Sequence, residues 1–246
     1  MYLTKEIILG REENYDATKL NCWDFCKGAD IREGINMKFG NMLTDFPFEV
    51  NGVKFKCSEM LYLCGQYSDG SKTNSQIQKM ICECNNGFAA KKFIRNKYID
   101  NVRKDFNDFR IQWMFWVVWQ KVIGNEDFKN LLLSVPDDAI IIENSSWQTS
   151  TTATIWGCKN MELRRIRQNV KLEIENISTH MTKKDVEHLV SVETNKVNQV
   201  GVFTGQNNLG KILMLCREAI KNNIIPKIDY NLLSKYDIFL MNKRLF

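Results

Sequence analysis

Histidine and closely paired cysteine are scarce in this sequence of 246 residues. The only histidines are His180 and His188, and none of the eight cysteines belongs to a Cys-x-x-Cys pair. Closed zinc sites and nucleophilic catalysis with a histidine base both depend on such groupings. We therefore expect no metal ion, no cofactor and no catalytic role for either histidine.

Long apolar segments are missing as well. The Trp-rich run at residues 111–119 falls short of the roughly 18 apolar residues that a membrane span needs. The N-terminal stretch also lacks the apolar core of a secretory signal. We expect a cytoplasmic protein with reduced thiols and no membrane partner, in which residues 111–119 form a buried central helix.

The charge is moderately basic, with 34 Lys and Arg against 29 Asp and Glu and a net charge of +5. This balance suits an anionic ligand of nucleotide size better than an extended DNA surface. A basic run at residues 91–97 predicts a solvated helix face, with phosphate contacts as the alternative. The strongly charged residues 159–200 predict an insertion outside the core, so deletion of residues 162–195 is expected to leave a folded protein.

A β-hairpin followed by a helix is the clearest local pattern. Residues 48–55 alternate apolar and polar side chains around Asn51-Gly52, which predicts a two-residue hairpin. Ser58 is then expected to cap a helix that carries Glu59 in its first turn. An acid at this position commonly interacts with the helix dipole at the surface, so the pattern alone does not indicate an enzyme.

Short strands are predicted elsewhere. Residues 139–143 form an unbroken apolar run that predicts a strand buried on both faces and ending at Glu143. Residues 2–9 predict an N-terminal strand, and residues 238–241 a terminal strand that pairs with it. The sequence thus predicts a single α+β domain, 1–246, mainly helical with small strands and hairpins at the rim. Its parts are an N-terminal extension (1–38), a charged insertion (159–200) and a C-terminal tail (226–246).

Four motifs in the chain resemble one known family. Phe39-Gly40-Asn41 with the following Ser58-Glu59 is similar to the first sequence block of the NADAR (YbiA-like) family, and residues 204–218 resemble its Gly-Gln-Asn-x-Leu-Gly signature. Arg103-x-Asp105-Phe106 resembles a basic-x-Asp-Trp element, with Phe in place of Trp. Glu143, Ser145 and Trp156-Gly157 resemble a Glu-x-Ser and Asp-x-x-Trp-Gly pattern, but Ala153 stands where the Asp is expected.

The resemblance implies a YbiA-like domain and a metal-independent N-glycosidase of the ADP-ribosylhydrolase type. The implied substrate is guanine linked to ADP-ribose, in nucleosides or in nucleic acid, with water attack on the ribose C1–N bond assisted by a glutamate. The implied catalytic residues are Glu59 and Glu143. The implied substrate-binding residues are Phe39, Asn41, Tyr62, Arg103, Phe106, Trp156, Gly157, Gly205, Gln206 and Asn207.

Two alternatives stay open at this point. The Ala at position 153 would suit a non-catalytic reader that binds ADP-ribose or NAD. An N-glycosidase acting on riboflavin-pathway intermediates has the same chemical requirements, namely a carboxylate, donors for the leaving base and no metal.

Overall fold

The computed structural model describes residues 6–26 and 30–246. The chain divides into two compact units, each assembled from two separate stretches. Unit 1 consists of Met1–Gly40 and Ser134–Met214, and unit 2 of Asn41–Leu133 and Leu215–Phe246. The fold of the described chain is α+β, as predicted, with many helices and small two-stranded sheets.

The strands are short. In chain order they are β1 (Glu13–Asp16), β2 (Cys22–Phe25), β3 (Ile31–Arg32), β4 (Ile35–Asn36), β5 (Phe48–Val50), β6 (Val53–Phe55), β7 (Ile140–Glu143), β8 (Val202–Gly205), β9 (Phe239–Leu240) and β10 (Lys243–Arg244). The helices are α1 (Ser58–Gly65), α2 (Lys72–Glu83), α3 (Gly87–Lys97), α4 (Phe106–Gly124), α5 (Glu126–Ser134), α6 (Ala153–Trp156), α7 (Met161–Ile177), α8 (Lys183–Lys196), α9 (Asn208–Lys221) and α10 (Tyr230–Ser234).

The strands of unit 1 pair residues that are distant in sequence. β2 and β7 are parallel, with Phe25 opposite Glu143, and the first three residues of β7 are buried as the apolar run predicted. β1 is antiparallel to β8. The predicted N-terminal strand is wrong for residues 6–9, which are irregular, while residues 2–5 lie outside the described part of the chain.

Unit 1 also contains a pair of packed helices, α7 and α8, built from the predicted charged insertion. The insertion is more integrated than its composition predicts, since Leu163 and Ile174 of α7 are buried. Arg167 of α7 forms an ion pair with the buried Asp24 of β2, at 3.0 Å. The expectation that the whole segment lies outside the core is therefore wrong for the first turns of α7, because α7 contributes apolar and charged partners to unit 1.

The predicted hairpin is confirmed in unit 2. β5 and β6 pair antiparallel, and the turn residues Asn51 and Gly52 have φ of 51° and 82°. Positive φ at both positions is what a type I′ turn requires, and Asn-Gly tolerates it. The hairpin directly precedes α1, whose eight residues are all buried.

The Trp-rich run lies in α4, the long helix of unit 2, as predicted. Trp113 and Trp116 stack with ring centroids 4.9 Å apart, and both are buried. Trp113 also donates a hydrogen bond from Nε1 to the Tyr62 carbonyl of α1. None of the helices in the described ranges combines the length and hydropathy that crossing a membrane requires.

The predicted pairing of the C-terminal strand with the N-terminal one is wrong for residues 6–9, which form no strand, while residues 2–5 lie outside the described ranges. β9 instead pairs with β10 in a local hairpin. Met241 and Asn242 form its turn with φ of 49° and 65°. A methionine in this conformation is unusual, so the turn has no strong sequence signal.

Candidate active site

The N-terminus of α1 is held by the backbone of Asn41. Cys57 is the N-cap residue and its side chain makes no capping hydrogen bond, so the predicted Ser58 cap is wrong. The Glu59 N–H instead donates to the Asn41 carbonyl at 2.9 Å. The Asn41 amide donates to Met114 Sδ of α4. The Asn41 carbonyl thus accepts from a first-turn N–H for which a capping side chain would otherwise be needed. Ser58 is the first residue of the helix and not its cap.

The Glu59 side chain is buried in unit 2, with 5% of the residue exposed. The Lys91 ammonium of α3 lies 3.1 Å from Glu59 Oε1. The approach lacks the alignment of a hydrogen bond, and within the described residues Oε1 is buried without a hydrogen-bond partner. A carboxylate removed from water is costly unless it is paired. Glu59 is thus a buried, charge-compensated acid rather than a surface acid at a helix start.

Two aromatic residues of the predicted site lie together near this acid. Tyr62 is 8% exposed and its ring meets Phe106 edge-on, with centroids 5.4 Å apart. Burial raises the pKa of the Tyr62 hydroxyl well above its ordinary value, and the negative charge of Glu59 raises that pKa further. The hydroxyl therefore stays protonated at neutral pH and is a hydrogen-bond donor.

Arg103, also predicted to bind substrate, makes several contacts within unit 2. Its guanidinium donates to both Asp105 carboxylate oxygens, at 2.6 and 2.8 Å. It also donates to the Tyr236 carbonyl and to Ser68. These contacts fix the loop before α4. Phe106, the first residue of α4, thereby lies beside Tyr62.

The unit 1 residues of the predicted site gather at the end of β7. The Asn207 side chain is fully buried, and it accepts from the Glu143 N–H at 3.1 Å and donates to the Ile141 carbonyl at 2.8 Å. α9 begins one residue later, and the Asn207 carbonyl accepts from the Lys211 N–H at 2.8 Å. Asn207 thus joins the start of α9 to β7 and positions the backbone of Glu143. Glu143 itself is half-buried.

Glycine is required where two backbone segments meet beside Glu143. A Cβ at Gly157 would lie 2.2 Å from the Glu143 carbonyl oxygen, and one at Gly205 would lie 2.4 Å from the Gly157 carbonyl oxygen. Gln206 follows, half-buried, with its N–H bonded to the Thr154 carbonyl. These contacts bring Glu143, Gly157, Gly205 and Gln206 into one backbone cluster.

The remaining aromatic positions of the predicted site also belong to unit 1. Phe39 is buried and packs edge-on against Phe25 at 5.7 Å. Trp156 is half-buried at the end of α6. Ala153 begins α6 and is 4% exposed. The predicted residues therefore form one group in each unit, with Glu59 in unit 2 and Glu143 in unit 1.

Lys91 is the residue that sequence reasoning did not select. It belongs to a basic run, and its three charged companions Lys92, Arg95 and Lys97 are exposed as the run predicted. The only available signal was spacing, since Gly87, Ala90 and Ile94 form the buried stripe of α3 and Lys91 adjoins it. Among the described residues, no three His, Cys, Asp or Glu side chains are grouped as a metal site would need.

Comparison with known proteins identifies the family. A model described as the NADAR domain matches residues 31–221, most of the chain, and the chain therefore belongs to the NADAR family. Membership indicates an N-glycosidase type of function. The NMR structure of the E. coli protein YbiA is similar, with 17% identity, a TM-score of 0.49 and coverage of 84% of this chain and 92% of that one. No curated protein matches this chain by sequence.

Proposed function

We propose that this protein is an N-glycosidase that hydrolyses the bond between ribose C1 and the base nitrogen in ADP-ribosylated guanine. The observation that carries the proposal is the Glu59 carboxylate, which is buried and lies 3.1 Å from the Lys91 ammonium, while its Oε1 makes no hydrogen bond with the described residues. Membership of the NADAR family supports this class of reaction.

The proposed reaction forms a bond from a water oxygen to C1 and breaks the C1–N bond. Positive charge develops on the ribose as the base departs, so a nearby carboxylate lowers the barrier by stabilising that charge or by accepting a proton from the water. We assign this role to Glu59. The proton lost by the water balances the one that the departing guanine takes up at its nitrogen.

The neighbouring side chains suit a nucleoside. The apolar rings of Tyr62 and Phe106 meet edge-on in the same unit as Glu59, and we assign them as a wall of the pocket for the base. For Glu143 and Gln206, which belong to unit 1, the family resemblance is what supports a catalytic and a substrate-binding role, respectively. The positive net charge suits the diphosphate of ADP-ribose and a nucleic acid that carries the modified base.

The test compares wild-type protein with Glu59→Gln on ADP-ribosylated guanosine, with released guanosine measured by mass spectrometry. Because Gln keeps the volume and loses the charge, we expect a rate lower by about 10² to 10⁴ and ADP-ribose binding, measured by calorimetry, within a few fold of wild type. Glu49→Gln, at an exposed position of β5, is the matched control and should cleave at the wild-type rate. Equal rates for wild type and Glu59→Gln would remove Glu59 from the mechanism.

Two arms of the same assay separate the alternatives. Activity is expected to survive EDTA, because this chemistry needs no metal, and loss that zinc or magnesium restores would contradict this. The Ala at position 153 favours the second candidate, a reader of ADP-ribose or NAD. That candidate replaces the first if wild type binds ADP-ribose but releases neither guanosine from ADP-ribosylated guanosine nor, in a parallel reaction, the base of a riboflavin-pathway intermediate.

A further inference from the structure

Lys91 contacts Glu59 through an arrangement that packing fixes. α3 begins against α1, since a Cβ added at Gly87 would lie 3.1 Å from Glu59 Cβ and 2.9 Å from Met42 Sδ. Lys91 follows Gly87 by one helical turn and therefore lies on the same side of α3. The start of α3 is itself capped, because the Asn86 side chain accepts from the Ala89 N–H at 2.9 Å.

The environment of Lys91 differs from that of the other cations in its run. Its side chain is 35% exposed, whereas that of Glu59 is 7% exposed, so the ammonium stands at the solvent side of the pair. The buried Ala90 and Ile94 beside it anchor α3 in the core of unit 2. A lysine on a fixed helix beside a buried carboxylate restricts the orientation of that carboxylate and compensates its charge.

We propose that Lys91 is a positioning residue for Glu59. It holds the carboxylate in the orientation that the reaction needs and compensates its negative charge. This inference rests on the proposed N-glycosidase function and adds a second residue to it. Lys91 acts through Glu59 and contacts no reacting atom.

The experiment measures kcat and KM on ADP-ribosylated guanosine for wild type, Lys91→Met, Lys91→Arg, Glu59→Gln and the double variant. Loss of the cation should lower kcat by about 10²-fold through misplacement of the carboxylate, with KM changed only a few fold. Lys91→Arg, which keeps the positive charge, should recover most of the activity. Lys79→Met, at an exposed position of α2, is the matched control and should behave as wild type.

The double variant separates positioning from a general structural role. If Lys91 acts through Glu59, adding Lys91→Met to Glu59→Gln should not lower kcat further, because residues that act as a unit are not additive. The double variant also removes both charges, so we expect it to fold even if Lys91→Met alone leaves a buried charge uncompensated.

Three outcomes would overturn the inference. Lys91→Met with wild-type kcat, beside a slow Glu59→Gln, would refute the Lys91 role and keep the proposed function. Losses of kcat that multiply in the double variant would assign Lys91 an effect independent of Glu59. A wild-type protein that cleaves no substrate would overturn both the proposed function and the role of Lys91 in it.

Discussion

At the scale of single residues, two thiols at the α1–α2 contact differ in chemistry from the other cysteines. Cys64 of α1 is fully buried and Cys82 of α2 is half-buried. A hydrogen bond from the Cys64 thiol lowers the pKa of Cys82, and burial raises the pKa of Cys64. Cys84, one residue beyond α2, is also half-buried, but desolvation raises its pKa. A lower pKa means a larger thiolate fraction at neutral pH, and the thiolate is the nucleophile.

We therefore expect iodoacetamide at pH 7 to alkylate Cys82 faster than Cys84. Mass spectrometry of peptides after timed quenching gives the two rates. Cys64→Ala removes the hydrogen bond that lowers the pKa of Cys82, so it should slow alkylation of Cys82 and leave that of Cys84 unchanged. A Cys84 that reacts as fast as Cys82 in the wild type would show that exposure, rather than the hydrogen bond, sets the order.

Residue-level prediction from sequence succeeded where the cause is local. The Asn51-Gly52 turn was predictable because its dihedral angles are chemically distinctive. Lys91 was not predictable, since its partner Glu59 is 32 positions earlier (91 − 59) and only the packing of α3 on α1 brings them together. Asn207 was selected for ligand contact, yet the structure shows both its polar groups bonded to the backbone of β7.

At the scale of elements, strong apolar patterns were predictable and strand pairing was not. The buried strand β7 and helix α4 both followed from their own sequences. The sequence could not indicate that β1 pairs with β8, because the register joins Glu13 to Gly205 across most of the chain. The same limit explains the terminal strand, whose partner β10 is itself only two residues long.

Helix α4 carries a buried lysine that should make stability depend on pH. Lys121 is fully buried, with its ammonium 3.8 Å from the centroid of the Phe128 ring, and burial lowers its pKa from 10.5 to about 7. Between these two pH values the unfolded chain binds more protons at this residue than the folded chain does. The contribution of Lys121 to the free energy of unfolding therefore rises with pH in this window, by up to about 1.4 kcal/mol per pH unit.

Lys121→Met removes this titration at similar volume. We expect the variant to be more stable than wild type at pH 6 and 7, because no ammonium is buried, with the difference shrinking as the pH approaches 9. Urea denaturation at pH 6, 7, 8 and 9 measures the free energy of unfolding of both proteins. Subtracting the wild-type values from those of the variant at each pH cancels the contributions of the other titrating groups. If the free energies of unfolding of the two proteins differ by the same amount at every pH, Lys121 has the same pKa in the folded and unfolded chain.

A buried ion pair joins helix α7 to strand β2 within unit 1. The side chains of Arg167 and Asp24 are 13% and 6% exposed, and Asn144 also donates to the Asp24 carboxylate at 2.7 Å. Removing the arginine leaves a buried carboxylate without its cation, which costs about 3 kcal/mol. We expect Arg167→Met to lower the free energy of unfolding by about this amount. The exposed Arg165, changed to Met, should leave it nearly unchanged, and equal effects of the two changes would contradict a special role for the pair.

At the scale of the whole molecule, each unit consists of two separate stretches of sequence, and the stretches of the two units alternate along the chain. Unit 1 contains the first 40 residues together with Ser134–Met214, and α9 begins in unit 1 and ends in unit 2. Composition gave no sign of this division, because none of the three boundaries carries a linker rich in proline, glycine or serine. The charged segment at residues 159–200 was recognisable from its composition. Which of its residues are buried or paired with the rest of unit 1 depends on side-chain contacts that a charge pattern does not show.

The helix pair α7–α8 therefore divides into an attached part and a removable part. Leu163 and Arg167 lie near the start of α7 and contact the rest of unit 1, while α8 has no buried residue. Arg167 also donates to the Val197 carbonyl, just beyond α8, so the two ends of the segment are tied together. Beyond Arg167, Ile174 is the buried residue of α7, and a deletion that removes the distal turns of both helices removes Ile174 as well.

We expect replacement of residues 170–192 by a short Gly-Ser linker to leave a cooperatively folded protein, because Leu163, Arg167 and Val197 all remain. Replacement of residues 162–195, which removes Leu163 and Arg167, should cost several kcal/mol by exposing apolar surface and leaving Asp24 without its cation. Near-UV circular dichroism and urea titrations compare the two proteins. If both deletions unfold with the wild-type midpoint, the contacts of α7 with unit 1 contribute no stability; if the shorter deletion is already molten, the distal turns belong to the core.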